Sequence, residues 1–134
     1  VCIHYRSYSE VESNNENSDL IKLDKNYYIE AIRKVRNKNK YSTFYLFGDE
    51  PSSEIEKILQ GHKVVKVNWN KNKGDEVNDL FLMSKCNTLI LANSSFSWWA
   101  GWLSASSEVF FPEKNNLIYY PTPSSRWNIV PWRK

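Results

Sequence analysis

Short runs of apolar and β-branched residues alternate along this chain with segments whose apolar positions recur every third or fourth residue. The runs predict strands at 1–6, 43–47, 63–67, 88–92 and 109–111. The intervening periodic segments predict four helices. The first spans 25–37, with Asp24 as N-cap and Tyr28, Ile32 and Val35 on one face. The second spans 52–60, with Pro51 in its first turn, a stripe of Ile55, Ile58 and Leu59, and Gly61 at its C-terminal cap. The third spans 75–85 and presents Val77, Leu80, Phe81 and Ser84 together. The fourth opens at Ser94 or Ser95 and runs through Trp98, Trp99 and Trp102.

A β-α-β alternation of this kind predicts an α/β, doubly wound, mostly parallel Rossmann-like sheet with helices on both faces. Nearly continuous apolar strands agree, because such strands are buried on both sides. The domain is expected to span 1–112, with 113–134 an extended Pro- and Trp-containing tail packed against it or against a neighbour. The polar segment 7–23 reads as a long loop after the first strand.

At 134 residues the chain is one domain's worth, and its hydrophobic (41%) and charged (25%) fractions are those of an ordinary globular protein. Aromatics are abundant, with six Trp. The net charge of +3 suits an anionic small ligand and does not call for nucleic acid. The basic stretch 33–40 is read as a solvated helix end rather than a nucleic-acid patch. Cys2 and Cys86 are expected to be free, buried and reduced, which points to a cytoplasmic protein, at most peripheral at a membrane. No secretory leader is expected, and no apolar run in these residues is long enough to span a bilayer. The chain opens at Val1 inside an apolar run, so it is expected to be a piece of a longer protein.

Candidate chemistry gathers where strands end. Asn93-Ser94-Ser95-Phe96-Ser97 follows an apolar strand and opens a helix, so free amides, the helix dipole and hydroxyls would favour a phosphate there. Simple capping by Ser94 or Ser95 is the competing reading. The Asn93 glycosylation sequon is set aside because it lies at a strand-to-helix junction. His4 and Arg6 share one side of the first strand, and Arg6 can bind a pyrophosphate bidentately or pair with an acidic neighbour. Asp49 and Glu50 could accept bonds from a ligand, although helix capping is the favoured reading. Asp79 reads either as a ligand carboxylate or as an exposed helix residue. His62 is expected at the wrong end of the sheet for a site. Trp98, Trp99 and Trp102 are read as packing residues rather than sugar platforms.

Two of these segments together resemble a known signature. Asp79-Leu80-Phe81-Leu82-Met83-Ser84-Lys85-Cys86 matches D-x-x-L-M-S-x-C, and the run from Asn93 through Leu103 resembles N-S-S/T-F-S-W-W-x-A-W-L, with Gly101 at the Ala position. Both are features of glycosyltransferase family 11, the α-1,2-fucosyltransferases, and the chain is similar to that family up to about Pro112. Tyr45 to Pro51 resembles the family's F-S-D-D segment, and Val1 to Arg6 resembles part of H-x-R-R-G-D-Y.

The resemblance implies the C-terminal, donor-binding half of a two-domain GT-B-type enzyme, with the N-terminal acceptor half outside this chain. It implies transfer of L-fucose or a related hexose from a GDP-sugar to a glycan hydroxyl, with inversion and no metal or other cofactor. The implied partners are the GDP-sugar, a glycan acceptor and the missing half or a partner chain. By the same resemblance, Arg6 would hold the diphosphate with His4 beside the nucleotide. Asn93, Ser94, Ser95 and Phe96 would form the phosphate turn, and Asp79 would meet the guanine edge. The family's second Arg, Gly and Asp are Ser7, Tyr8 and Ser9 here, leaving Glu10 or Glu12 to stand in for the Asp. The alternative is a non-catalytic nucleotide- or glycan-binding domain derived from the same family. A receiver-like or flavodoxin-like signalling domain shares the alternation but does not explain the Trp-rich fourth helix.

Overall fold

A computed structural model describes residues 1–8, 22–50, 52–70, 72–113, 121 and 125–131. Its elements in chain order are β1 (Cys2–Tyr5), α1 (Lys25–Lys38), β2 (Thr43–Gly48), α2 (Ser53–Ile58), β3 (Lys63–Lys66), α3 (Glu76–Ser84), β4 (Thr88–Ile90), α4 (Ser95–Leu103), β5 (Glu108–Pro112) and β6 (Trp127–Val130). All six strands form one parallel sheet in the order β3-β2-β1-β4-β5-β6. The chain winds outward from β1 in one direction and from β4 in the other. The crevice outside the carboxyl ends of that central pair is where doubly wound sheets bind ligands.

The sheet separates two cores. Ile3, Tyr5, Phe44, Leu46, Ile90 and Phe110 face α1 and α2. Cys2, Phe47, Leu89, Leu91, Val109, Phe111 and Trp127 alternate onto the face covered by α3 and α4. Helix α1 forms where its periodicity predicts. Asp24 accepts the Asn26 N–H at 2.7 Å as the N-cap, and Tyr27, Tyr28, Ala31, Ile32 and Val35 are buried. The Tyr27 hydroxyl reaches the carbonyls of Leu91 and Phe110 at 2.7 and 3.0 Å, so its polar end is satisfied inside the core.

Two expectations are corrected. Cys2 and Cys86 are not free; they are joined as a disulfide with Cα atoms 6.0 Å apart. Cys86 leaves α3 just before β4, which is paired to β1, so the fold brings the two together. On α3, Met83 faces the core while Val77 and Phe81 are 67% and 59% exposed. That helix is apolar on more than one side, and periodicity alone does not choose which side turns inward. The segment beyond Pro112 contains β6, which adds a parallel edge to β5. Trp127 and Val130 of β6 are buried in the two opposite cores.

Two glycines fix close approaches. Gly48 ends β2 with φ +135°, and a Cβ there would lie 1.9 Å from the Tyr5 carbonyl oxygen. This draws the ends of β1 and β2 together. Gly101 lets α4 settle on the sheet, since an added Cβ would meet Leu91 at 2.7 Å and the Trp127 ring at 2.8 Å. Among the described residues no helix is long and apolar enough to cross a membrane.

Candidate active site

The site is built from the segments that leave the carboxyl ends of β1, β2 and β4. Ser94 has extended backbone and caps α4, its hydroxyl accepting the Ser97 N–H at 3.2 Å. The Trp98 N–H returns to the Ser94 carbonyl at 3.0 Å. Among the described residues the Ser95 and Phe96 amides have no acceptor. One hydroxyl satisfies one amide as a cap, and two amides remain open at the positive end of the helix dipole. Ser95 is exposed, Ser94 and Phe96 are half-buried, and the Asn93 side chain is buried.

Arg6 leaves β1 on the same rim, because β1 and β4 are neighbouring parallel strands. Its Nε lies 3.3 Å from Asp49 Oδ2, yet it is buried and makes no aligned hydrogen bond among the described residues. The guanidinium therefore has an acidic neighbour and still has donor capacity. Asp49 also accepts the Ser7 N–H at 2.8 Å. It braces the exit of β1 and does not cap α2, contrary to the capping role its place before Pro51 predicts. Glu50 takes the local role at α2 instead, accepting the Ser52 N–H at 2.8 Å. The hydrogen bonds from Lys66 and Ser52 hold the Glu50 carboxyl down to about 2.

His4 lies beneath the turn, 5% exposed and bonded through Nδ1 to Ser97 Oγ. Ser97 Oγ also accepts the Ala92 N–H at 3.0 Å. Neutral His4 and the Ser97 hydroxyl share one hydrogen bond here, with the imidazole tautomer setting which of the two donates. Burial, reinforced by the charge of Arg6, pushes His4 down to about 3. The His4 ring centre is 5.2 Å from that of Phe96. His4 thus underpins the turn that opens α4 through Ser97.

Asp79 stands apart from these groups. It lines a cleft at the ends of β2 and β3 with Phe47, Asp49, Lys66 and Asn70. Asn70 donates to its Oδ1 at 2.7 Å, and burial raises its pKa above the usual carboxylate value. Asp49 touches both this cleft and the exit of β1, linking the two regions. His62 lies at the opposite rim, its ring edge-on to Phe44. Glu10 and Glu12 fall outside the described residues.

Three residues of the site carry little signal in the sequence. Ser97 lies three positions after Ser94, a spacing that could have placed it at the end of the capping turn. Asn70 carries none beyond a polar loop after β3. Tyr8 stands out only as a departure from a family glycine. Of the tryptophans, Trp98 packs near Trp127 and donates to the Pro121 carbonyl at 2.7 Å, whereas Trp99 and Trp102 are about half exposed. Among the described residues no three His, Cys, Asp or Glu side chains gather as a metal site requires.

Comparison with known proteins identifies a family for the chain. The sequence profile of Glycosyl transferase family 11 matches residues 1–117. The chain is 32% identical over 82 residues to the O-antigen biosynthesis glycosyltransferase WbnK of Escherichia coli, across 61% of this chain and 27% of that protein. It is 35% identical over 83 residues to an alpha-1,2-colitosyltransferase of Escherichia coli, across 58% of this chain and 27% of the relative. The matched region thus spans 27% of the length of each relative.

Proposed function

The chain belongs to glycosyl transferase family 11, and from that premise we propose that it forms the nucleotide-sugar-binding half of an inverting glycosyltransferase. The donor is a GDP-sugar, with L-fucose or a related hexose as the transferred group, and the acceptor is a glycan hydroxyl. The observation that carries this reading is that Arg6 and the open Ser95 and Phe96 amides follow the carboxyl ends of two neighbouring parallel strands, β1 and β4.

In this reading the acceptor oxygen attacks the anomeric carbon as the bond to the β-phosphate oxygen breaks. The leaving diphosphate takes the electron pair and becomes more negative. Arg6 and the α4 amides meet that charge where it grows. A carboxylate takes the acceptor's proton. Asp79, desolvated and oriented by Asn70, can accept two N–H donors from a guanine edge across the adjoining cleft. No metal or other cofactor is needed in this scheme. The relative named for α-1,2-colitosyl transfer supports an α-1,2 linkage and a donor sugar that is not restricted to fucose.

Calorimetry or NMR titration of the chain with GDP and UDP tests the assignment. GDP is expected to bind weakly and UDP more weakly still, with Arg6→Ala reducing GDP affinity by about tenfold or more. Equal binding of GDP by the parent and Arg6→Ala would remove Arg6 from the scheme. Loss of the preference for GDP over UDP in Asp79→Asn is expected if Asp79 reads the base.

A further inference from the structure

Tyr8 holds a backbone conformation that its side chain disfavours. Its φ is +55°, the only positive value at a non-glycine among the described residues. In that left-handed region a bulky aromatic residue is an outlier, and such outliers persist only where surrounding contacts impose them. The contacts are present. Tyr8 is buried, and its hydroxyl donates to the Asn93 carbonyl at 2.5 Å. The Arg6 guanidinium lies over its ring, 5.7 Å from the centroid.

These two contacts join the two halves of the anion site. The Asn93 carbonyl belongs to the peptide that leads into Ser94, and the Ser94 N–H on the same peptide is bonded to the Ala92 carbonyl at 2.9 Å. That peptide is held at both ends just before the open amides of α4. The face of the same tyrosine supports the guanidinium that must converge on those amides. A cation over an aromatic face is oriented without using its N–H donors, so Arg6 keeps them for a ligand.

We propose that Tyr8 is a positioning residue that sets Arg6 against the Asn93–Phe96 turn, and so determines how strongly the site holds the terminal phosphate of a nucleoside diphosphate. The inference rests on the donor-site reading under Proposed function. It goes beyond that reading by giving a role to a residue that stands where the family signature has glycine. Tyr8 touches neither the reacting carbon nor the base, and acts through Arg6 and the turn.

The test is the ratio of GDP to GMP affinity for the 134-residue chain, measured by NMR titration for the parent, Tyr8→Phe and Tyr8→Gly. Tyr8→Phe keeps the ring and removes only the hydroxyl, so it should fold as the parent does. Its GDP affinity is expected to fall about threefold, and that of Tyr8→Gly about tenfold, with GMP affinity almost unchanged. The GDP-to-GMP ratio should therefore collapse in that order. A tyrosine that merely packs would lower both affinities together or neither, leaving the ratio fixed, and that result overturns the proposal. Failure of the parent to bind either nucleotide overturns the donor-site reading and this inference with it. Binding by the parent with an unchanged ratio in both variants overturns this inference alone.

Discussion

On one side of the sheet α1 lays Tyr27, Tyr28, Ala31, Ile32 and Val35 into a closed core, while on the other side α3 buries only Met83 fully and leaves Val77 and Phe81 in solvent. The candidate site residues lie with the second side. His4 and Ser97 meet beneath α4, Asp79 lies on α3, and the Asn93–Phe96 turn opens α4 itself. A face sealed by the fourteen-residue amphipathic α1, with α2 beside it, gives rigidity. A face covered by two nine-residue helices leaves their ends and the adjoining cleft available for a ligand. The first face thus serves as the platform for the second. The Tyr28 hydroxyl makes this connection directly, donating to the His4 carbonyl at 3.3 Å.

The comparison is broken most severely from the closed side. Tyr27→Ala removes a fully buried ring and the donor shared by the Leu91 and Phe110 carbonyls. It should lower unfolding free energy by about 3–5 kcal/mol in urea titration. Tyr27→Phe keeps the ring but loses the hydroxyl, and should lose about 1–3 kcal/mol. A loss below about 1 kcal/mol in Tyr27→Ala would show that α1 is not the platform of the fold.

A smaller and pH-dependent effect sharpens the comparison from the open side. His4 is held near 3 in the folded chain by burial and by Arg6, against about 6.5 when unfolded. Between those values the unfolded chain binds a proton that the folded chain refuses. Stability contributed by neutral His4 is therefore fully present above about pH 6.5 and is lost as pH falls toward 3. The slope is about 1.4 kcal/mol per pH unit within that window. Urea melts of the parent and His4→Gln from pH 7 to pH 4.5 check it. The parent should show the additional slope and the variant should not; parallel curves would mean that His4 is protonated in the folded state.

Much of this architecture was legible in the sequence because local and tertiary preferences agree. Asp24 caps α1, the periodic face of α1 is the buried face, and the apolar strands alternate with helices. The helix start after β4 was legible for the same reason, since a serine between an apolar run and a helix is a favoured N-cap. Where several tertiary outcomes suit one local pattern, the sequence was silent or misleading. Helix α3 offers apolar residues on more than one side, so its inward face was misassigned. The Cys2–Cys86 disulfide depends on β1 lying beside β4, which no spacing of two cysteines reveals. Tyr8 in a left-handed conformation depends on Asn93, which is 85 residues away along the chain. Asp49 is next to a helix in sequence but serves β1 in space.

The smallest expected effect is also the most direct test of the asymmetry between the two faces. Val77 and Phe81 lie one helical turn apart on α3 and are largely exposed. Replacing either with Ser removes little buried apolar area, so each variant should remain within about 0.5 kcal/mol of the parent in urea titration. Helix propensity adds little, because serine, valine and phenylalanine are similar helix formers in a helix interior. The Asp79 cleft lies on a different side of the same helix, so GDP titration of Phe81→Ser should match the parent. If Phe81→Ser instead costs more than about 1.5 kcal/mol, the outer side of α3 is covered in solution, and the contrast between a closed face and an open one disappears.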